Sequence, residues 1–236
     1  MAEGLRERKK RETRQRIADI AMGLFMARGF DDVTVADVAR AADVSVNTVF
    51  NYFGTKEDLF ADRQDVAVDL PAQVVRGRRP GESVVGAFRR DFLDALDTRD
   101  WRYGFNEGND VFARMVGASQ ALTARMRELH DRRELELAKA LADELDASPD
   151  DLTPHVVAAV ILDTTRVVSE RAVRRRLAGE PWDDIAPGVR AAAERAFDLL
   201  ESGLAGYGTR PARALAGGAG EERGDEDEHH EHEGEG

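Results

Sequence analysis

Apolar residues recur every three or four positions along most of this chain, and that spacing predicts helices from near the N-terminus onward. The first clear apolar stripe consists of Ile17, Ile20, Ala21, Leu24 and Phe25. Gly29 can then close the helix in a left-handed conformation, with Phe30 packing after the turn. We therefore expect a first helix whose apolar face braces the elements that follow it.

Two short helices are predicted over residues 34–53, joined by a tight turn at 42–44. Thr34 can cap the first helix together with Asp37, and Ser45 offers a hydroxyl to cap the second. The inward apolar positions are Val35, Val38, Ala39, Ala42, Val44, Val49 and Phe53. The outward positions of the second helix are Val46, Asn47, Phe50 and Asn51. Such an outward face on a short second helix is typical of a recognition helix that enters the DNA major groove.

This stretch resembles the helix-turn-helix of the TetR family of transcriptional repressors. The matching residues are Thr34, Val35, Val38, Ala39, Val44, Ser45, Thr48, Val49, Phe50, Tyr52, Phe53, Lys56 and Leu59. The alternative is an ordinary helical hairpin within a core, which would leave Val46 and Phe50 exposed without a reason. The resemblance implies a DNA-binding repressor that acts on double-stranded operator DNA.

The resemblance also implies which side chains of this stretch contact DNA. Val46, Asn47 and Phe50 are expected at base edges, where the two apolar side chains could contact thymine methyl groups and Asn47 could hydrogen-bond. Phosphate contacts are expected from Thr34, Thr48, Asn51, Tyr52 and Lys56. Ser45 belongs to the same predicted DNA-binding set.

The rest of the sequence keeps helical spacing and shows no strand pattern, so we predict an all-α fold. A fourth helix should run from Thr55 towards Leu70, and residues 71–81, with two prolines and two glycines, should form a loop or a frayed helix end. Further helices are predicted over about 82–96, 119–145, 153–177 and 187–204. The predicted domains are a three-helix helix-turn-helix unit over 1–60 with a flexible basic arm at 1–12, a helical ligand-binding and dimerisation unit over 61–205, and a disordered acidic tail over 206–236.

The net charge of −12 is distributed unevenly along the 236 residues. Residues 221–236 contain nine acidic residues and one arginine, whereas residues 1–30 contain eight basic and four acidic residues. Because DNA affinity depends on local phosphate contacts, the overall negative charge does not argue against DNA binding. The acidic tail also contains His229, His230 and His232, which could bind a divalent metal adventitiously, and it could instead compete with DNA for the basic region.

Cysteine usage and hydropathy restrict the setting in which this chain works. There is no cysteine, which excludes disulfides and thiolate chemistry and suits a reducing cytoplasm. No apolar run approaches the ~20 residues that a membrane-spanning helix needs. The charged N-terminus lacks the apolar segment of a signal peptide. We expect a cytoplasmic protein with no membrane partner.

Aromatic and methionine residues gather in and around the irregular stretch after residue 96, and they are the predicted lining of a ligand cavity. The set is Phe92, Trp101, Tyr103, Phe105, Phe112, Met115 and Met126. Apolar walls with a few polar groups are typical of small-molecule sites, and Asn106, Glu107 and Asn109 could supply those groups. Such residues are also the ordinary filling of a helical core, so both interpretations stay open.

The C-terminal half leads to one expectation about the class of ligand and one about the oligomeric state. The segments beginning at Leu122, Leu152 and Leu199 are similar to a TetR subgroup that resembles the mycofactocin regulator and is linked to acyl-CoA-like ligands. The family resemblance implies a homodimer formed by the helices near 154–177 and 187–204. A monomer in which those helices are core elements is the alternative.

Sequence motifs give no support to catalysis. The chain has no nucleophile elbow and no glycine-rich phosphate loop, and His130 and His155 are most simply surface residues. We therefore predict that the chain is not an enzyme and has no metal site and no cofactor. The rival interpretations are an architectural DNA-binding protein whose C-terminal domain docks another protein, and an enzyme with a vestigial helix-turn-helix. A ligand-sized cavity would favour a ligand-released repressor, whereas convergent titratable groups in that cavity would favour an enzyme.

Overall fold

The computed structural model describes residues 4–204, apart from the side chains of residues 66 and 204. Every regular element within that range is helical, so the all-α prediction is confirmed. The helices are α1 (Leu5–Arg28), α2 (Val35–Ala41), α3 (Val46–Tyr52), α4 (Lys56–Val66), α5 (Leu70–Arg76), α6 (Val84–Thr98), α7 (Asn109–Ala118), α8 (Gln120–Leu145), α9 (Thr153–Leu177) and α10 (Trp182–Leu204). A 3-10 turn at Trp101–Tyr103 lies between α6 and α7. The predicted acidic tail lies outside the described residues.

The first four helices pack around a core of aromatic side chains. The rings of Phe25, Phe30 and Phe60 lie with their centroids 5.1 to 6.1 Å apart. This core also takes in Met115 from α7 and Leu122 from α8. The N-terminal core therefore extends beyond residue 60, where the sequence predicted a domain boundary.

A second core fills the space between α5, α6, α8, α9 and α10. Its largest fully buried side chains include Phe88, Phe92, Phe105 and Phe197. Helix α9 packs along both α8 and α10, and α10 packs on α6. Phe92 contacts Phe105 and Phe197 edge to face, with ring centroids 5.3 and 6.0 Å apart. These contacts hold the 3-10 turn and the start of α7 in place against the long helices.

The N-terminal arm differs from its prediction. Helix α1 begins at Leu5, so the prediction of a flexible arm is wrong for residues 5–12, which are helical. Arg8 and Glu12 lie one turn apart on this helix, with nitrogen and oxygen 3.6 Å apart, and such pairs support exposed helices.

Helices α5 and α10 differ from their predicted bounds, and each contains a proline. Residues 70–76 form α5 because Pro71 sits in its first turn, where the missing N–H would have had no helical partner. Helix α10 starts at Trp182 and contains Pro187, so the predicted start at 187 is wrong. Burial of Ile185 and the contact of Trp182 with Phe105, at 5.5 Å between ring centroids, help to stabilise this extra turn.

Candidate DNA-binding surface and ligand cavity

Side-chain caps fix the starts of α2 and α3 as the sequence predicts. The hydroxyl of Thr34 accepts a hydrogen bond from the backbone N–H of Asp37 at 3.1 Å, and the backbone N–H of Thr34 donates to the Asp37 carboxylate at 3.0 Å. The Thr34 hydroxyl and the Thr34 backbone N–H both donate to the Asp37 carboxylate, and these two bonds lower the pKa of Asp37 to about 2. Ser45 caps α3 by accepting from the backbone N–H of Thr48 at 3.0 Å. The two caps define where α2 and α3 begin.

The turn between these helices depends on an unusual backbone conformation at Asp43. Its φ of 53° places it in the left-handed region, which aspartate tolerates better than most residues. The N–H of Val44 then donates to the carbonyl of Ala39 at 3.0 Å and closes the end of α2. The turn thereby sets the direction in which α3 leaves α2.

Helix α3 has one buried face and one solvent face. Val49 is 1% exposed, whereas Val46 is 39% exposed and Phe50 is 49% exposed. Asn47 and Asn51 are exposed on the same outer side. The prediction that these four side chains face outward is confirmed, and their contacts with DNA stay a prediction. An exposed phenylalanine on a helix that is otherwise well packed is a feature that base contact would explain.

The hydroxyls predicted to contact phosphate already have protein partners. Thr34 Oγ1 donates to Asp37 Oδ2 at 2.7 Å, and Ser45 Oγ lies 2.8 Å from Thr48 Oγ1. A phosphate contact from these hydroxyls would therefore use a second lone pair or a reoriented hydrogen. Tyr52 is half-buried and its ring packs near Phe53, with centroids 6.4 Å apart.

Lys56 has a structural contact that the sequence did not suggest. Its ammonium lies 4.3 Å from the ring centroid of Phe30, a cation–π contact at the start of α4. This contact offsets part of the cost of a cation at a helix N-terminus. Its predicted phosphate contact is therefore not needed to explain its position, and that contact stays a prediction.

Arg14 is a positioning residue that the sequence analysis missed. Its Nη1 donates to the backbone carbonyl of Tyr52 at 2.6 Å, and its Nε donates to Asp62 Oδ1 at 2.7 Å. The guanidinium also lies 4.6 Å from the ring centroid of Phe53. Burial raises the pKa of Asp62, and the neighbouring Arg14 opposes that shift. One side chain of α1 thus ties the end of α3 to α4.

A cavity of about 620 Å³ lies between α4, α5, α6, α7, α8 and α9, beside the 3-10 turn. Four of the seven predicted ligand residues line it: Trp101, Tyr103, Phe112 and Met126. Asn109 also lines it, whereas Asn106 and Glu107 are not among its lining residues. The volume falls within the range of small-molecule sites in proteins.

The other three predicted ligand residues are core side chains. Phe92 and Phe105 are fully buried in the C-terminal core, and Met115 belongs to the N-terminal core. Their assignment to the cavity wall is wrong in this structure. Both rings lie behind the wall, because they contact Tyr103, which lines the cavity, and Phe197 or Trp182 in the core.

Polar groups that the sequence analysis missed form part of the wall. The Tyr103 hydroxyl donates to Asp91 Oδ2 at 2.8 Å, and Arg102 Nη1 donates to Asp91 Oδ1 at 3.1 Å. Burial raises the pKa of Tyr103 well above its usual value, so its hydroxyl remains a donor. Arg133 Nη2 donates to Gln64 Oε1 at 2.7 Å, and burial lowers the pKa of Arg133. The wall is therefore apolar with a few fixed polar points.

Phe112 connects the cavity to the helix-turn-helix. It lines the cavity and its ring stacks on Phe60 of α4, with centroids 4.8 Å apart and planes 13° apart. Phe60 in turn contacts Phe30 edge to face at 5.6 Å, and Phe30 lies beneath Lys56. A change in the position of Phe112 would therefore be transmitted to the core that supports α3.

Exposed apolar side chains occur on the outer faces of α9 and α10. They include Val156, Val160, Val167 and Leu199, of which Leu199 is 75% exposed. Phe197, by contrast, is 1% exposed and belongs to the C-terminal core. A stripe of valines at this spacing on α9 favours contact with another protein surface.

No helix within residues 4–204 is long and apolar enough to span a bilayer. No group of three or more histidine, cysteine, aspartate or glutamate side chains in that range is arranged to hold a metal ion. His130 instead lies 3.3 Å from Asp163 on the neighbouring helix.

This chain is similar in sequence to known bacterial transcriptional regulators. Residues 17–62 match the family model described as bacterial regulatory proteins, tetR family. The HTH-type transcriptional regulator TcmR of Streptomyces glaucescens is 31% identical over 220 residues, which cover 88% of this chain and 91% of TcmR. The mycofactocin biosynthesis transcriptional regulator MftR of Mycobacterium tuberculosis is 45% identical over 49 residues, which cover 21% of this chain and 25% of MftR. A match of that length does not span the C-terminal segments predicted to resemble its subgroup, so that likeness stays a prediction.

Solved structures agree in fold. Salmonella enterica GusR superposes with a TM-score of 0.52 at 16% identity, over 81% of this chain and 94% of GusR. The regulator FadR of Bacillus subtilis, solved in complex with stearoyl-CoA, superposes with a TM-score of 0.50 at 15% identity, over 80% of this chain and 98% of FadR. At these identities the likeness is one of fold.

Proposed function

Because this chain belongs to the TetR family of DNA-binding transcriptional regulators, we propose that it is a homodimeric repressor that leaves its operator when a small, largely apolar ligand fills the cavity. The observation that carries this proposal is the position of Phe112. The same ring forms part of the cavity wall and stacks on Phe60 in the core that supports the helix-turn-helix.

The operator contacts follow from the exposed face of α3. Val46, Asn47 and Phe50 enter the major groove at base edges, while the flanking residues, including Lys56, contact phosphates. Arg14 supports this arrangement because it holds the carboxyl end of α3 against α4. Two copies of the chain place two such helices on the two halves of a palindromic site.

The dimer is formed by the outer faces of α9 and α10. A test replaces Val160 and Leu199 with glutamate, since both side chains are exposed in one copy of the chain. The double variant should remain folded, become monomeric in light scattering, and lose operator affinity by about a hundredfold or more, because the two half-sites no longer act together. A monomer that retains operator affinity would contradict the dimer.

Among ligand classes, the predicted acyl-CoA-like compounds remain one candidate. FadR of Bacillus subtilis was solved with stearoyl-CoA, and its likeness to this chain extends to fold only. The walls formed by Trp101, Phe112 and Met126 suit an apolar or aromatic body of any origin.

The rival functions fit the cavity less well. An architectural protein that docks another protein has no need of a 620 Å³ cavity against its DNA-binding core. An enzyme would need a free acid or base, yet Asp91 is bound by Arg102 and Tyr103. The other two candidates of the wall are paired as well, Glu170 with Arg166 and His130 with Asp163. Our proposal therefore includes no catalytic step, and it places the regulator in the cytoplasm with its DNA.

The proposal is tested by finding the operator and then a ligand. Selection from random duplex DNA gives the operator, and a compound screen for quenching of Trp101 fluorescence and for a raised melting temperature gives cavity ligands. Such ligands should weaken operator affinity at least about tenfold, a coupling typical of allosteric proteins. Cavity ligands that leave operator affinity unchanged would contradict ligand-released repression.

A further inference from the structure

The cavity wall carries more positive than negative charge. Four arginines line it, Arg102, Arg133, Arg166 and Arg174, against the two carboxylates Asp91 and Glu170. The chain as a whole carries a net charge of −12, so this local excess runs against the composition. Excess positive charge beside apolar walls favours an anionic group on a ligand.

Both carboxylates of the wall already have cationic partners. Arg102 Nη1 lies 3.1 Å from Asp91 Oδ1, and Tyr103 adds a hydrogen bond to the other oxygen. Arg166 Nη1 lies 2.8 Å from Glu170 Oε1 at the exposed edge of the cavity. Arg174 Nη1 lies 3.7 Å from Glu170 Oε2, so neither carboxylate is left to neutralise the remaining arginine, Arg133.

Arg133 donates its hydrogen bonds to neutral groups, and the charge of Asp65 acts on it without a direct ion pair. Its Nη2 donates to the side-chain and backbone oxygens of Gln64, at 2.7 and 3.4 Å. The carboxylate of Asp65, the next residue of α4, is bound instead by Arg125 at 2.7 Å and by Arg132. No described residue forms an ion pair with Arg133, and its Nε and Nη1 make no hydrogen bond to the described part of the chain.

A half-buried guanidinium in this state has lost part of its hydration without gaining a full counter-charge. Gln64 accepts from Nη2, and the Nε and Nη1 donors remain for a second partner. Anionic oxygens, as in a carboxylate, a phosphate or a sulfonate, are the acceptors to which a guanidinium donates its strongest hydrogen bonds. A second polar point lies on α9, where the buried Ser169 hydroxyl of the cavity wall has no hydrogen-bond partner among residues 4–204.

We propose that the effector is an amphipathic organic anion, with an apolar or aromatic body and one acidic group that Arg133 binds. This inference rests on the proposed ligand function of the cavity. The body lies against Trp101, Phe112 and Met126, while the acidic oxygens accept from the unbonded Nε or Nη1 of Arg133. An uncharged compound of the same shape binds more weakly, because the guanidinium then stays incompletely neutralised.

Two fluorescent probes with the same aromatic body test this assignment. One is 8-anilinonaphthalene-1-sulfonate, which carries a sulfonate, and the other is N-phenyl-1-naphthylamine, which is uncharged. Arg133→Gln should weaken binding of the sulfonate about ten- to a hundredfold, the size expected for a charge-assisted contact, and leave the uncharged probe unchanged. Arg133→Lys, which keeps the charge, should recover part of the sulfonate affinity.

Two control variants make the result specific. Arg127→Gln removes an exposed arginine from the same helix, outside the cavity wall, and should change neither affinity. Ala113→Phe places a larger side chain on the cavity wall and should weaken both probes. Unchanged sulfonate affinity in Arg133→Gln, or equal losses for the two probes, would overturn the anion assignment while the apolar ligand function stands. Failure of both probes to bind in the cavity would overturn the proposed ligand function as well.

Discussion

The helix-turn-helix and the cavity region use polar side chains in different ways. In the first, the pairs that cap the two helices are three residues apart, as in Thr34 with Asp37 and Ser45 with Thr48. Around the cavity, Arg125 pairs with Asp65 across 60 residues and Arg133 with Gln64 across 69. Local pairs set helix ends, whereas distant pairs set how helices pack. The DNA-binding face is therefore specified by short sequence patterns, and the ligand site by tertiary packing.

The largest expected effect comes from the aromatic contact between the two regions. Phe60→Ala removes a ring that touches Phe25, Phe30 and Phe112, and it should lower the free energy of unfolding by about 3–5 kcal/mol. The matched control is Phe50→Ala, where the ring is 49% exposed and the loss should stay within about 0.5 kcal/mol. Chemical denaturation measures both losses. Equal losses would contradict the assignment of Phe60 to the core and of Phe50 to the surface.

A smaller effect is expected where α1 holds α3 and α4 together. Breaking a buried ion pair costs about 3–5 kcal/mol, and since the Arg14 side chain is 40% exposed we expect Arg14→Met to cost about 1–3 kcal/mol. Adding Asp62→Asn should recover part of this loss, because the buried carboxylate no longer lacks a partner. Denaturation of the two single variants and the double variant gives the interaction energy between Arg14 and Asp62. If the losses of the two single variants simply add in the double variant, the two side chains do not stabilise the fold as a pair.

Within the DNA-binding face, two neighbouring residues should separate into different roles. Asn47→Ala should cost about 1–3 kcal/mol on the best operator and little on random DNA, because an amide in the groove reads a base. Lys56→Ala should weaken all duplexes alike and reduce the salt slope by roughly one unit. Binding isotherms at several salt concentrations measure both quantities. A change of base preference in Lys56→Ala, with uniform loss in Asn47→Ala, would contradict the inferred docking.

The smallest expected effect is a change in acid stability from a single local cap. The pKa of Asp37 is about 2, below its ordinary 3.8, so its carboxylate stabilises the fold above pH 3.8 and this contribution is lost as the pH falls towards 2. Asp37→Asn should remove that part of the pH dependence and lower stability slightly at pH 7. Melting temperatures measured between pH 2 and pH 7 test this expectation, with Asp31→Asn, at an exposed residue nearby, as the control. Identical pH profiles for Asp37→Asn and the unaltered protein would contradict the capping role.

These local features explain why the DNA-binding part could be predicted in detail. The hydrogen-bond partners of Thr34, Asp37 and Ser45 lie within one helical turn of them, so the sequence alone predicts the caps and the outward face of α3. Arg14 was missed because its partners, Tyr52 and Asp62, lie 38 and 48 residues away. No spacing rule connects residues at such separations.

The cavity could be predicted only in outline. The irregular stretch correctly indicated Trp101, Tyr103 and Phe112, but the core residues Phe92 and Phe105 have the same character. Which of them face the cavity depends on how α6, α8 and α9 pack, and composition does not carry that information. The polar wall was missed for the same reason, because Arg133 and Gln64 meet only in the folded chain.

The most direct test measures whether a cavity ligand acts on DNA binding through Phe60. This residue stacks on Phe112 but does not itself line the cavity, so Phe60→Leu loses the stacking and leaves the cavity wall in place. Operator isotherms with and without a ligand from the cavity screen should show at least about tenfold weakening in the unaltered protein, and much less in Phe60→Leu at equal ligand affinity. The same weakening in both proteins would contradict transmission through this aromatic contact.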